Sequence, residues 1–248
     1  MKAPAMLAHE NANQINELLL TPLAERCVQS VLASTLAADG EKLPYPHFYV
    51  ADVLPEDVVD QLLALPFIAQ DVHGQSGLRD MHNDTRTYID AANRAQYEVC
   101  EAVAQCFQDQ RVVDTIAKVF SAPIDGCNLR LEMALDQDGY WNMPHTDLGV
   151  KALTYLLYLS RDPAHADLAT DVYDQQQQWH SRRPSLPNTA MVFVPGDDTF
   201  HGFEKRPFSG VRKTLILNYV TPEWRAREQL AFPEMPVHTI AFAKPKAA

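Results

Sequence analysis

The chain has 248 residues, a formal net charge of −11 and 46% hydrophobic residues. This length suits a single domain, residues 1–248, and the apolar content is ample for a buried core. An acidic chain lacks the basic surface that broad nucleic-acid binding requires, which argues against nucleic acid as a partner. No apolar run approaches a membrane span and no secretory signal is evident, so we expect no membrane partner and a cytoplasmic location.

Cysteine usage points to the same compartment. The four cysteines are scattered along the chain, with no C-x-x-C pair among them. We expect all four to be reduced thiols, because disulfides are rare in reducing compartments.

The first half of the chain is predicted to be mainly helical. Residues 11–38 carry apolar residues at helical spacing, and Pro22 should start or kink a helix there. A strand over His47–Val53 is followed by a helix that begins near Pro55. Residues 92–120 predict two further helices. The first of these helical segments is a candidate for packing or for homodimer formation.

A polar stretch, residues 71–91, separates these helices and contains one short predicted strand, Thr85–Ile89. Arg86 in this strand is a candidate for binding a substrate carboxylate or phosphate. The alternative is a salt bridge on the surface, which would contribute little to stability.

The second half is predicted to be rich in strands. Turn signals separate runs with strand-like composition. These runs are 128–135, 152–160, 189–194 and 211–220. The first alternates apolar with polar residues and predicts a half-polar strand. The polar segment Arg161–Pro187 is expected to be a long loop, functional or disordered. Many short strands predict a barrel or jelly roll, and the helices make the fold class α+β with a mainly β core.

The clearest chemical signal is an H-x-D pair followed by a distant histidine. His145 and Asp147 lie at i and i+2, so both side chains point to one face of an extended backbone. His201 follows 54 residues after Asp147 (201 − 147), far enough for the chain to return on a neighbouring strand. Two imidazoles and one carboxylate form a ligand set that leaves three positions of a ferrous ion open.

Two other H-x-D sequences occur, beginning at His82 and at His165. About one such match is expected by chance from this composition. Only His145 lies between two strand-like runs. His165 follows Arg161-Asp162-Pro163 and is expected in a surface loop, and His82 lies in the polar stretch.

These motifs resemble the Fe(II)- and 2-oxoglutarate-dependent oxygenases, especially the prolyl-hydroxylase-like branch. The segment Pro44–Pro55 is similar to the opening strand and helix start of that family. The resemblance covers residues 43–220, which leaves 1–42 as a helical N-terminal extension and 221–248 as a tail. It implies a double-stranded β-helix, also called a jelly-roll or cupin-like fold, with supporting N-terminal helices.

The resemblance also implies roles for the motif residues. His145, Asp147 and His201 would bind Fe(II). An Arg or Lys about ten residues after the second histidine binds the far carboxylate of 2-oxoglutarate in the family, and Arg212 lies 11 residues after His201 (212 − 201). The implied reaction consumes O2, releases succinate and CO2, and hydroxylates an unactivated C–H bond. Halogenating relatives lose the carboxylate corresponding to Asp147, so its presence favours hydroxylation.

Arg212 can also be argued from its strand. It lies in an apolar run, where a charge facing inward is costly unless it is paired. A dicarboxylate would provide such a partner, and Thr214 at i+2 can donate to the same carboxylate. The alternative is a salt bridge to Asp or Glu. By analogy with the family, Tyr158 completes this pocket; otherwise it belongs to the core.

The substrate is less well defined. Trp141 and Asn142 are candidates for the substrate side, although an aromatic residue beside a metal strand is more often a packing residue. A small molecule, a glycan, an amino-acid derivative or a protein side chain would fit, with small molecules and glycan precursors favoured by the acidic surface. Two other functions stay open: a zinc or manganese enzyme of the cupin type, and a non-catalytic binding module. The Arg212-x-Thr214 motif argues against both.

Overall fold

The computed structural model describes residues 19–69, 77 and 86–240. Within these ranges, two antiparallel sheets are accompanied by five α-helices. The helices are α1 Pro22–Leu36, α2 Glu56–Leu63, α3 Ala91–Gln96, α4 Glu98–Gln108 and α5 Gln110–Phe120. The strands are β1 Asp39–Glu41, β2 His47–Val50, β3 Arg86–Tyr88, β4 Asn128–Asp136, β5 Asn142–His145, β6 Lys151–Tyr158, β7 Asp171–Tyr173, β8 Trp179–Ser181, β9 Thr189–Phe193, β10 His201–Phe203 and β11 Arg212–Val220.

Helix α1 begins where its sequence provides a cap. The Thr21 hydroxyl accepts a hydrogen bond from Ala24 N at 3.1 Å, and Pro22 occupies the first helical turn. Pro22 therefore starts the helix rather than kinking it. Residues 11–18 of the predicted helix lie outside the described residues.

The segment predicted as two helices over 92–120 contains three. Tyr97 and Asp109 have extended backbone conformations, which interrupt the helical run. Asp109 also caps α5, because its side chain accepts a hydrogen bond from Arg111 N. The predicted helix after Pro55 is confirmed as α2. All four cysteines are buried free thiols, as expected.

The larger sheet has the strand order β1-β2-β9-β6-β11-β4-β3, and the smaller sheet has the order β5-β10-β7-β8. The main apolar core lies between the helices and one face of the larger sheet. A second apolar cluster joins the other face to the smaller sheet, through Leu156 and Phe193 on one side and Val172 on the other. The α+β class with a mainly β core is thus confirmed, and the arrangement is consistent with a jelly-roll sandwich.

Strand β4 differs from its prediction, because all nine of its residues are buried. Its apolar residues face the helices, whereas Arg130 and Glu132 line the space between the two sheets. The polar half of this strand is therefore internal, where its charges pair with each other at 2.6 Å.

The predicted long loop over residues 161–187 was only partly right, since it contains β7 and β8. Each has three residues, too short to show the alternation by which a strand is recognised. His165 within this segment is buried rather than on the surface, and its Nε2 lies 2.7 Å from Ser209 O.

The predicted C-terminal tail also contributes to the core. Ala231, Phe232 and Val237 are buried in the main apolar cluster. Among the described helices, none combines the length and apolar character that crossing a membrane would need.

Candidate metal centre

Three potential metal ligands meet where β5 and β10 pair in the smaller sheet. His145 ends β5, His201 begins β10, and the antiparallel register places these two residues directly opposite each other. Their ring centroids are 4.4 Å apart. Asp147 follows two residues after β5, and one ligand atom from each residue lies within 4.8 Å of the others. The structure therefore brings together the three residues that the sequence singled out.

Backbone carbonyls orient both imidazoles. His145 Nδ1 lies 2.9 Å from Met143 O, and His201 Nδ1 lies 3.0 Å from Thr199 O. A carbonyl can only accept, so each Nδ1 carries a proton and each Nε2 is the nitrogen that a metal would bind. Burial first, and then His201, lower the pKa of His145 to about 3. At neutral pH His145 is the neutral imidazole that binds metals.

Asp147 is held as a carboxylate anion by two neighbours. Its Oδ1 accepts a hydrogen bond from Lys151 Nζ at 2.6 Å, and its Oδ2 accepts one from Thr154 Oγ1 at 2.6 Å. Burial raises the pKa of Asp147, but Lys151 and His201 outweigh it and hold this pKa well below its usual range. Two imidazoles and one carboxylate suit a divalent transition metal such as Fe(II), with three coordination positions left for other ligands.

Gly202 allows β5 and β10 to approach each other. A Cβ added at this position would lie 2.7 Å from Asn142 O and 3.1 Å from Met143 O, both backbone atoms of β5.

We expect Gly202→Ala to push the strands apart and weaken Mn(II) binding by about tenfold or more, because small displacements of ligands are costly. Titration followed by electron paramagnetic resonance measures this. Gly149→Ala is the matched control, since its added Cβ meets no described atom within 4 Å. Equal affinity in the two variants would contradict the prediction.

A cavity of about 310 Å³ extends from the candidate ligands between the two sheets. Its wall includes Thr214 and Asn142. Thr214 Oγ1 and Asn142 Oδ1 are both buried and have no hydrogen-bond partner among the described residues. Buried polar atoms are usually satisfied, so these two indicate positions where a bound molecule or water supplies the partner.

The partner of Arg212 is a residue that the sequence did not reveal. Arg212 Nη1 donates to Asp136 Oδ2 at 2.5 Å, and its Nε donates to Leu168 O at 2.6 Å. The other carboxylate oxygen of Asp136 accepts from Arg86 Nη1 at 2.7 Å. The alternative of a salt bridge is therefore present, although Arg212 also lines the cavity. Burial raises the pKa of Asp136, but Arg86 and Arg212 hold it below its usual range.

Arg86 forms a salt bridge, but a buried one rather than the surface contact that the sequence allowed as an alternative. Its Nη2 also donates to the Tyr140 hydroxyl at 3.3 Å, and its side chain lines the cavity. Asp136 ends β4 directly opposite Arg212 in β11. That pairing is a property of the sheet and cannot be read from either strand alone.

The other predicted site residues are divided between the cavity and its surroundings. Asn142 lines the cavity. Tyr158 lies opposite Thr214 on β6, but its hydroxyl accepts a hydrogen bond from Thr170 N and the described cavity wall does not include it. The ring of Trp141 lies against Gly77, where an added Cβ would come within 2.2 Å of it. The roles of Tyr158 and Trp141 stay predictions.

The sequence also missed Lys151, Thr154 and Arg130 in the cavity wall. The positions of Lys151 and Thr154 could have indicated this, because they lie four and seven residues after Asp147, at the start of a predicted strand. Arg130 lies on the polar face of β4, a strand that the sequence predicted only as half-polar, and Asp136 was predicted to lie in the turn after it.

No protein-family model and no curated protein matches the sequence. Several solved structures are similar in fold. A prolyl 4-hydroxylase from Phytophthora capsici has a TM-score of 0.53 at 15% identity, covering 85% of this chain and 69% of that one. A prolyl-4-hydroxylase from Pseudomonas putida has a TM-score of 0.52 at 17% identity, covering 78% and 98%.

A third similar structure is a prolyl hydroxylase from Trichoplax adhaerens in complex with a hypoxia inducible factor peptide fragment. It has a TM-score of 0.53 at 14% identity, and the match covers 82% of this chain and 93% of that one. The fold of this chain is therefore similar to that of the prolyl hydroxylases.

Proposed function

We propose that the chain is an Fe(II)- and 2-oxoglutarate-dependent dioxygenase that hydroxylates an unactivated C–H bond. One observation carries this proposal: the grouped His145, Asp147 and His201 share a single cavity with Arg212 and the unpartnered Thr214 hydroxyl. A metal enzyme of another kind would need the three grouped ligands, but it would not need Arg212 and Thr214 in the same cavity. The similar folds of the prolyl hydroxylases support the same conclusion.

In this proposal the three grouped side chains hold the iron. The Met143 and Thr199 carbonyls keep the Nε2 atoms of His145 and His201 available as ligands. When bound, Fe(II) with 2-oxoglutarate and O2 supplies the oxidising power for hydroxylation, with release of succinate and CO2. As part of the same proposal, the two sheets form a double-stranded β-helix.

Arg212 and Thr214 bind the far carboxylate of 2-oxoglutarate in this proposal. Arg212 is held in place by Asp136 and the Leu168 carbonyl, so its guanidinium is oriented before the co-substrate arrives. Arg86 and Arg212 share one carboxylate, which leaves one net positive charge at this end of the cavity. The Thr214 hydroxyl donates to the incoming carboxylate and thereby gains the partner that it lacks among the described residues.

Thr214→Val gives the sharpest test, because valine has nearly the same shape and removes only the hydroxyl. We expect an anaerobic mixture of protein, Fe(II) and 2-oxoglutarate to show a weak visible charge-transfer band. Thr214→Val should weaken 2-oxoglutarate binding by about tenfold or more, the size of a lost hydrogen bond to a charged group. Arg212→Ala should abolish the band at accessible concentrations.

Thr35→Val is the matched control. The Thr35 hydroxyl is likewise buried without a hydrogen-bond partner in the described chain, but it lies on α1 in the helical layer. Metal binding in the wild type without any band would point to other metal chemistry. Failure to bind metal at all would leave the non-catalytic binding module as the better interpretation.

A further inference from the structure

Cationic side chains outnumber acidic ones in the cavity wall, although the whole chain is acidic. The charged residues of the wall are Arg86, Arg130, Lys151, Arg212, Glu132 and Asp147. Such an arrangement attracts anions into the cavity. Whether any positive charge is left for a substrate depends on how these groups are already paired.

Arg130 is fully engaged. Its Nη2 donates to Glu132 Oε2 at 2.6 Å, and its other nitrogens donate to Asn218 and Gln229. At the other end of the cavity, Arg86 and Arg212 share Asp136. The one positive charge that is left there binds the far carboxylate of 2-oxoglutarate in the proposed function. Lys151 is the remaining cation of the wall.

Lys151 is paired with a group that the metal also needs. Among the described residues, its ammonium forms a hydrogen bond and salt bridge with Asp147 Oδ1, at 2.6 Å. A divalent ion bound to the same carboxylate would place two positive charges beside this ammonium. Repulsion from the ion would offset part of the Lys151–Asp147 attraction, which leaves the ammonium able to pair with an anion bound in the cavity.

Trp224 provides a hydrogen-bond donor at the same end of the cavity. Lys151 pairs with Val220 at the end of β11, and Trp224 follows four residues later in a turn against the larger sheet. The Trp224 indole lines the cavity and stacks on Arg130. Its Nε1 is buried, and residues 19–69, 77 and 86–240 offer it no hydrogen-bond acceptor. A buried N–H without an acceptor is rare and indicates an acceptor on a bound molecule.

The opposite wall of the cavity has a complementary acceptor. Asn142 belongs to β5 of the smaller sheet, three residues before His145. Its Oδ1 is buried and unpartnered within the described chain. The cavity therefore presents donors on the larger sheet and an acceptor on the smaller sheet, with the candidate metal ligands in the same wall.

We propose that the primary substrate is a small carboxylic acid whose carboxylate binds between Lys151 Nζ and Trp224 Nε1. Its hydroxyl or ammonium group donates to Asn142 Oδ1. This inference rests on the proposed function and specifies the substrate class of that same site. The volume of about 310 Å³ is near the lower end of the roughly 300–1,000 Å³ typical of small-molecule sites. Since 2-oxoglutarate shares this space, the enclosed part of the substrate is small.

The test uses free L-amino acids and L-hydroxy acids, each beside its primary amide. Binding is followed by the change that each compound causes in the visible band of the anaerobic Fe(II)–2-oxoglutarate complex. Turnover is followed in air by succinate formation. We expect at least one acid to perturb the band and stimulate succinate formation, with its amide at least about tenfold weaker. Loss of a hydrogen bond between charged groups corresponds to a change of this size.

Two variants test the assigned residues. Lys151→Met should weaken binding of the responsive acid by about tenfold or more and reduce the preference for acid over amide. Trp224→Phe, which keeps a ring but removes the N–H, should weaken the acid by a smaller factor. Lys118→Met is the matched control, because Lys118 is exposed on α5. The Fe(II)–2-oxoglutarate band is recorded first in every variant.

The outcomes separate the two proposals. No band in the wild type would mean that the proposed function is wrong. A normal band that no acid of the panel perturbs would overturn the substrate class and leave the function standing. The substrate class would also be overturned by amides that bind as well as acids, or by a Lys151→Met variant that behaves like Lys118→Met.

Discussion

Replacing His201 with alanine is expected to lower the affinity for divalent metal by about a hundredfold or more and to abolish 2-oxoglutarate-dependent succinate formation. His201 supplies one of three ligand atoms that lie within 4.8 Å of one another, and its Nδ1 is already oriented by the Thr199 carbonyl. Removing one of three ligands removes a large share of the binding free energy of a metal site. Mn(II) titration by electron paramagnetic resonance measures the affinity without depending on turnover.

His238→Ala is the control for this experiment. The His238 side chain is 69% exposed and lies near Asp125, away from the cavity wall. The His238→Ala variant should bind Mn(II) with the affinity of the wild type. If His201→Ala bound Mn(II) with unchanged affinity, the metal site would lie elsewhere, and both the assigned ligands and the proposed function would have to be abandoned.

Replacing Asp136 with asparagine is expected to lower the free energy of unfolding by about 3–5 kcal/mol. Asp136 is the shared partner of Arg86 and Arg212, and all three side chains are less than 10% exposed. The substitution leaves two buried guanidinium groups facing each other without a counter-ion, and an uncompensated buried charge has a cost of this size. Urea unfolding at neutral pH measures it. Asp57→Asn removes a half-exposed salt bridge to Arg26 and should change stability by less than about 1 kcal/mol.

The pH dependence gives an independent check on Asp136. Its pKa is lower in the folded chain than its ordinary value of about 4. The stabilisation is therefore fully present above that value and is lost as the pH falls through the lower pKa of the folded state. Stability of the wild type should decrease below about pH 5, and Asp136→Asn should lose less over the same interval. Identical pH profiles would show that Asp136 is not held ionised by its neighbours.

Local patterns in the sequence were sufficient for several features. The i, i+2 spacing of His145 and Asp147 placed both side chains on one side of an extended backbone. Pro22 was expected to start or kink a helix, and it starts α1. The apolar periodicity around Pro55 located α2. These features depend on neighbours within a few residues, so their physics is present in a short stretch of chain. The family resemblance then connected His201 and Arg212 to the same site, and the three candidate ligands do lie together, although their role as ligands stays a prediction.

Other features could not be read from local patterns. The polar face of β4 was expected to be half exposed, because alternation cannot distinguish a face in solvent from one that lines an internal cavity. The strands β7 and β8 are too short to form a periodic signal. His165 was expected on the surface but is buried against the Ser209 carbonyl, a partner 44 residues away.

What the sequence determined by itself was the chemistry available: two histidines and one aspartate that suit a metal, and an arginine in an apolar run that needs an anionic partner. Only the tertiary structure decided which charged side chains pair with one another. The register of β11 against β4 sets Asp136 opposite Arg212, and the approach of β3 adds Arg86 to the same carboxylate. Likewise, the chain after β11 brings Trp224 into the wall of the cavity that Lys151 also lines. The physical reason is that burial makes unpaired charge costly, and the partner that removes this cost is chosen by strand pairing between segments far apart in the chain.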